Sequence, residues 1–245
     1  MVSAWTFHTG AGALCLDFAN TLSWRRSATP IERLQTHADL SSWARQLGLV
    51  SRRDELRLRR EAAVHPRRAR QLLAQARALR ETIFAIFAAI SEGRAPNDRD
   101  VRSLEGWLKL AVAGSRLDAA DGPYRWLPAA GAGMAPVLWR VALSAGELLG
   151  SDRSARIGQC AGRDCRWLWL DRTRNQSRRW CDMAVCGNRA KAQRYAARRP
   201  ALMASRVRAS GSLAGRRSRR PAASRPATDR QKSASASYPR GCRSS

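Results

Sequence analysis

Cys160-Ala161-Gly162-Arg163-Asp164-Cys165 and Cys181-Asp182-Met183-Ala184-Val185-Cys186, the second running directly into Gly187-Asn188-Arg189, are the stretches around which this chain is organised. Each carries two cysteines with four residues between them, and fifteen residues separate the pairs. Four thiolates in two such pairs can close a tetrahedron around Zn²⁺, although the spacing alone also admits disulfides. With all four positions filled by Cys160, Cys165, Cys181 and Cys186, the metal would be one structural zinc, because a catalytic zinc keeps a position open.

The residues between the pairs suggest how the sulfurs meet. Arg166-Trp167-Leu168-Trp169-Leu170-Asp171 is an apolar run with polar ends, suited to a strand covered on both faces. Arg172 to Ser177 forms a polar turn, and Arg178-Arg179-Trp180 brings the chain back, which predicts a β-hairpin of 166–171 with 178–180. From Gly187 to Arg199 strong helix formers run up to Pro200, predicting a helix with Lys191, Arg194 and Arg198 on one stripe. Together with Arg172, Arg174, Arg178, Arg179 and Arg189 they form a candidate nucleic-acid-binding set, and a solvated basic face is the plain alternative.

The run from Trp169 to Lys191 resembles the C-terminal zinc finger of the CGNR family, whose tetrad stands here as Cys186 to Arg189. Gly12-Ala13-Leu14-Cys15-Leu16-Asp17-Phe18-Ala19-Asn20-Thr21 is similar to the opening motif of the ABATE domain that precedes that finger in the family. Trp169 and Thr173 stand where Phe and Ser are expected, which leaves the ligand set intact. The resemblance implies an N-terminal ABATE-like domain, a zinc finger, and the role of a stress-induced transcription regulator.

Composition agrees with a polyanionic partner. The 245-residue chain has 45 basic and 19 acidic residues, a formal charge of +26. Nucleic acid is the first partner this suggests and an anionic membrane surface the second. Net charge is +7 over residues 1–150, +9 over 151–199 and +10 over 200–245, so its density is highest in the finger and tail. All but three of the basic residues are arginines, a bias that coding composition can produce, so the clustered arginines of the finger carry more weight than the total. No signal peptide or membrane-length apolar run is visible, and a cytoplasmic location is expected, where reduced thiols favour metal over disulfide.

The remaining sequence reads as mainly α with a small β component. Leu14, Leu16 and Phe18 alternate as in a strand, but a helix could equally begin at Asp17. Thr29-Pro30-Ile31-Glu32 has the form of a capping box, with a break near Thr36 in the apolar stripe that follows. Ser51 caps a basic helix to about Val64, in which Leu56 and Leu58 are expected to bury little. Pro66 opens the longest helix, ended by Gly93; Asn97 opens another, ended by Gly114. Tyr124 to Leu127 is a candidate strand that could add to an edge near residues 5–18, and Pro136 to Leu149 is a helix. Gly150-Ser151-Asp152 forms a hinge, giving a helical domain over 1–150, the finger over 151–199 and a disordered basic tail over 200–245.

Three functional readings follow. The first is a DNA-binding transcription regulator, with an unknown small-molecule effector on its N-terminal domain. A second makes the zinc knuckle a protein- or RNA-docking module with Trp167, Trp169 and Trp180 as exposed anchors. A third places a ligand site around Asp17, Asn20 and Arg25, where the rival reading is local backbone bonding by Asp17 and Asn20. No nucleophile elbow, P-loop or dinucleotide fingerprint occurs, and no enzyme is expected.

Overall fold

Local signals fix most helix ends. In this computed structural model, which describes residues 5–119, 122, 124–128 and 133–197, the first element is α1 (Leu14–Ala19). Cys15, Leu16, Phe18 and Ala19 are all fully buried there, so apolar side chains point to every side and the alternation carried no strand information. Strand β1 (Leu22–Ser23) then pairs antiparallel with β2 (Ile31–Glu32).

The helix expected to start at Thr29 is instead this strand. Glu32, which a capping box would turn back onto Thr29, accepts two hydrogen bonds from Arg80 (2.6 and 2.7 Å) and one from the Leu34 amide (2.8 Å). Arg80 is itself buried, so a charge-assisted pair takes precedence over the cap. Helix α2 (His37–Gln46) begins after the expected break: the Asp39 amide donates to Thr36 Oγ1 (3.2 Å) and the Thr36 amide to Asp39 Oδ2 (2.7 Å).

Helix α3 (Arg52–Val64) starts at Ser51 as expected, but Leu58 is buried while Leu56 stays exposed. Helix α4 (Pro66–Ser91) is the scaffold, touching α1, α2 and α3. Its residues Leu79, Ile83, Ile86 and Phe87 are fully buried, and Gly93 at φ +69° ends it. α5 (Asp98–Ala113) is capped by Asn97, whose Oδ1 accepts from the Arg99 amide (2.8 Å), and it packs on α4. Strand β3 (Ser115–Asp118) pairs antiparallel with β4 (Arg125–Pro128). The strand foreseen near 124–127 therefore pairs with the segment just upstream, not with residues 5–18. α6 (Ala135–Leu149) packs against α1 and α5.

A 3₁₀ turn (Asp152–Arg156) leads into β5 (Ile157–Gln159), antiparallel to β6 (Leu168–Leu170), with Gly158 opposite Trp169. The hairpin predicted from 166–171 and 178–180 is thus built otherwise: β6 takes its partner from before the first cysteine. Ile157, Leu168 and Leu170 join the same buried cluster as Phe18, Leu79 and Leu148. The chain through Tyr195 forms one compact unit. A π-helical turn (Met183–Gly187) opens α7, the helix over 188–197. Arg198 and the tail expected over 200–245 lie outside the described residues. No helix among the described residues is long and apolar enough to cross a membrane.

Candidate metal centre and nucleic-acid interface

The β5–β6 connection carries the first cysteine pair. The Cys160 amide donates to the Trp167 carbonyl (2.8 Å), extending the ladder, and the Cys165 amide to the Gly162 carbonyl (3.1 Å), closing a tight knuckle. The Gly162 and Cys181 amides both point at Cys160 Sγ (3.4 Å each), and the Ala161 amide donates to the Arg179 carbonyl (3.0 Å), drawing in the second pair. A Cβ on Gly162 would sit 3.3 Å from Cys186 Sγ and 3.4 Å from Cys160 Sγ, so glycine gives the backbone this close approach. Asp182 Oδ1 accepts from the Ala184 amide (2.6 Å) and starts the turn that delivers Cys186.

All four cysteines are free thiols, buried, with their sulfurs within 4.8 Å of one another. Cys165–Cys181 and Cys181–Cys186 are each 3.6 Å apart. In a tetrahedron with Zn–S bonds of about 2.3 Å, neighbouring sulfurs lie about 3.8 Å apart, so the cage has the dimensions of a zinc site. Hydrogen bonds from Cys165 and Cys181 pull the Cys160 thiol far below its ordinary value, and the same contacts push Cys165 and Cys181 upward. Four thiolates cannot coexist here without a cation, and a divalent metal supplies it. One zinc, held by Cys160, Cys165, Cys181 and Cys186, would have no open position and would stabilise the fold.

Tryptophans wall the cluster. Trp169 is almost fully buried, lying over Gly158, and Trp24, Trp167 and Trp180 pack around it half-exposed. Of the three finger tryptophans, Trp169 is packing, whereas Trp167 and Trp180 pack on the cluster and keep part of their surface exposed.

The basic residues divide into two groups. Arg178 stacks on Trp169 (4.8 Å) and donates to the carbonyls of Trp180 (3.1 Å) and Cys181 (2.5 Å), while its amide donates to Asp171 (3.1 Å). Arg172 donates to the Gly12 carbonyl (2.9 Å). Arg174, Arg179, Arg189, Lys191 and Arg194 are exposed, and among the described residues none forms an ion pair. Arg189 and Arg179 rest on the rings of Trp24 (4.2 Å) and Trp180 (5.9 Å), and Arg194 makes one long bond to Ala190 O (3.4 Å). Asp171, which the sequence reading passed over, organises the turn between. Burial raises its carboxyl, but donation from Thr173 Oγ1 (2.7 Å), the Thr173 amide (2.8 Å) and the Arg178 amide outweighs this and holds it below the ordinary range. The Asp-x-Thr spacing is a local turn signature that could have revealed it.

Asp17, Asn20 and Arg25 do not converge. Asp17 accepts from the Ala11 amide (2.9 Å), and burial raises its carboxyl. It also faces an open groove of about 500 Å³ beside Thr9, Asp171 and Arg172. Asn20 donates to the Leu168 carbonyl (2.8 Å) and accepts from its amide (2.9 Å), tying α1 to β6. Arg25 pairs with Glu81 (2.6 Å), donates to the Ala19 carbonyl and lies over Phe84 (3.7 Å). A separate cavity of about 70 Å³ lies among His37, Leu58, Glu61, His65, Leu72 and Met134.

Residues 12–152 match the ABATE family, described as "Putative stress-induced transcription regulator", and residues 156–199 match the CGNR zinc finger. A comparison with the curated proteins finds no match.

Proposed function

Because the chain belongs to the ABATE family and carries a CGNR zinc finger, we propose that it is a DNA-binding transcription regulator rather than an enzyme. The observation that carries this reading is the set Arg174, Arg179, Arg189, Lys191 and Arg194: exposed, without acidic partners among the described residues, and presented by a four-cysteine cage. Guanidinium groups left free on a rigid frame suit phosphate oxygens and base edges. Arg178 leaves the contact set, because its donors serve two carbonyls of the chain, whereas Arg172, exposed and with one bond to Gly12, keeps donors for a ligand. A cytoplasmic location goes with reduced thiols and this partner.

Selection of the zinc-loaded full chain against random-sequence duplexes, read at two salt concentrations, tests the proposal. It predicts enrichment of a motif, with affinity falling as salt rises. Equal affinity for all sequences would reduce the finding to charge alone, and absence of binding would refute it. The docking-module reading keeps one support: Met183 and Val185, on the turn before α7, are each 49% exposed. A small-molecule effector remains part of the proposal, its candidate place being the groove that Asp17 shares with Leu170 to Thr173 of the finger.

A further inference from the structure

Trp24 lies outside the finger, in the connection between β1 and β2, yet it stands against the cysteine cluster. Its backbone is left-handed at φ +55°, a conformation disfavoured for a bulky side chain and retained only where surrounding contacts hold it. Those contacts are present. The Ser27 amide donates to the Trp24 carbonyl (2.9 Å), the Arg26 amide to the Asp164 carbonyl inside the knuckle (3.1 Å), and Trp167 Nε1 to the Leu22 carbonyl (3.3 Å). Two of these three bonds come from or go to the finger, so the metal-binding loop and the β1–β2 connection fix each other.

The product of this arrangement is the surface under Arg189. Its guanidinium carbon lies 4.2 Å from the Trp24 ring centroid, and among the described residues the Arg189 side chain has no hydrogen bond or ion pair. Stacking uses the faces of a guanidinium and leaves the N–H groups at its edge free, and it restricts a side chain that would otherwise sample many rotamers. Arg178 is also stacked, on Trp169, but its edge is consumed by carbonyls.

We propose that Trp24 is a positioning residue for DNA binding: its indole holds the Arg189 fork ready for a pair of acceptors on DNA, so the interface is shared by the helical domain and the finger. This rests on the DNA-binding reading above. The acceptors are two phosphate oxygens or the O6 and N7 of guanine, both of which match a planar fork.

The test is a double-mutant cycle on the zinc-loaded full chain, with duplexes enriched from a random pool as probe and zinc content checked for every variant. Arg189→Ala is expected to weaken binding about tenfold, within the range of a lost bidentate contact. Trp24→Ala should weaken it about two- to fivefold, as for an exposed cation–π contact, and Trp24→Phe should restore most of that. In the Arg189→Ala background, Trp24→Ala should cost nothing further. Loss of preference at one base pair in Arg189→Ala would assign a guanine edge, and uniform weakening a phosphate. Additive losses, or wild-type binding by Trp24→Ala, would overturn the positioning role while leaving DNA binding standing. If Trp24→Ala loses zinc, the cycle is read with Trp24→Leu, and additivity there overturns the role equally. A wild-type chain that binds no duplex would refute both.

Discussion

Asn20 offers the sharpest measure of how firmly the finger is seated on the helices. Its side-chain amide satisfies both backbone groups of Leu168, at 2.8 and 2.9 Å, and both residues are buried. Asn20→Ala leaves one N–H and one C=O unpaired away from water. Each orphaned group costs about 1–3 kcal/mol, and with about 1.5 for each the loss is about 3 kcal/mol. For a unit of this size that corresponds to a fall in melting temperature of about 6–12 °C. Calorimetry of the zinc-loaded chain would show it. Asn20→Asp supplies a signed control: it keeps an acceptor for the Leu168 amide but sets a carboxylate against the Leu168 carbonyl. Burial raises the folded pKa of that new carboxyl, so the folded state binds more protons, and stability should fall as pH rises through that value and recover below it. An Asn20→Ala chain that melts within about 1 °C of wild type, where about 3 kcal/mol was expected, would refute this account of the seam.

Four further outcomes follow from the site. Cys181→Ser should abolish stoichiometric zinc by metal analysis, and because Ile157, Leu168 and Leu170 share the main core, it should lower the melting of the whole unit. Acidification should release zinc as thiolates take up protons, visible with a chromogenic chelator; full retention under acidic conditions would exclude a four-thiolate site. Lys191→Ala and Arg174→Ala should each weaken DNA binding uniformly across sequences and reduce the salt slope by about 0.9, whereas Arg178→Ala should act through stability. Asp171→Asn should flatten the acid side of the stability profile. Its folded pKa is lowered, so the wild-type contribution is present above the ordinary carboxyl value and is lost as pH falls through the folded one.

The readable parts of the sequence were those whose physics is local. Ser51, Pro66 and Asn97 mark helix starts because caps and a proline act within one turn, and the cysteine spacing marks the cage because loop closure is local too. The misreadings came from long-range partners. Thr29 to Glu32 satisfied a capping pattern, but nothing near it in sequence reveals Arg80, forty-eight positions away, which claims the carboxylate. β6 was foreseen as a covered strand, yet its partner precedes the knuckle, because the ladder continues through Cys160 and Trp167. Arg172 to Arg179 read as a uniform basic cluster, and only the tertiary structure separates Arg178, spent on two carbonyls, from Arg174.

The same distinction bears on how such a finger can work. Four cysteines and a three-residue strand pair bury too little on their own to fix a helix in space, as small metal modules generally depend on their ion. Here the frame is completed from outside: Asn20 grips β6, Trp24 and Trp167 close the cage, and Arg172 reaches Gly12. A change of shape in the helical domain that moves α1 or the β1–β2 connection must therefore move the knuckle, or break bonds worth several kcal/mol together. Regulation by an effector would need no long relay. It would need only a ligand with unequal affinity for two positions of α1, the helix that carries both Asp17 at the open groove and, at its C-terminal end, the Asn20 clamp on the finger.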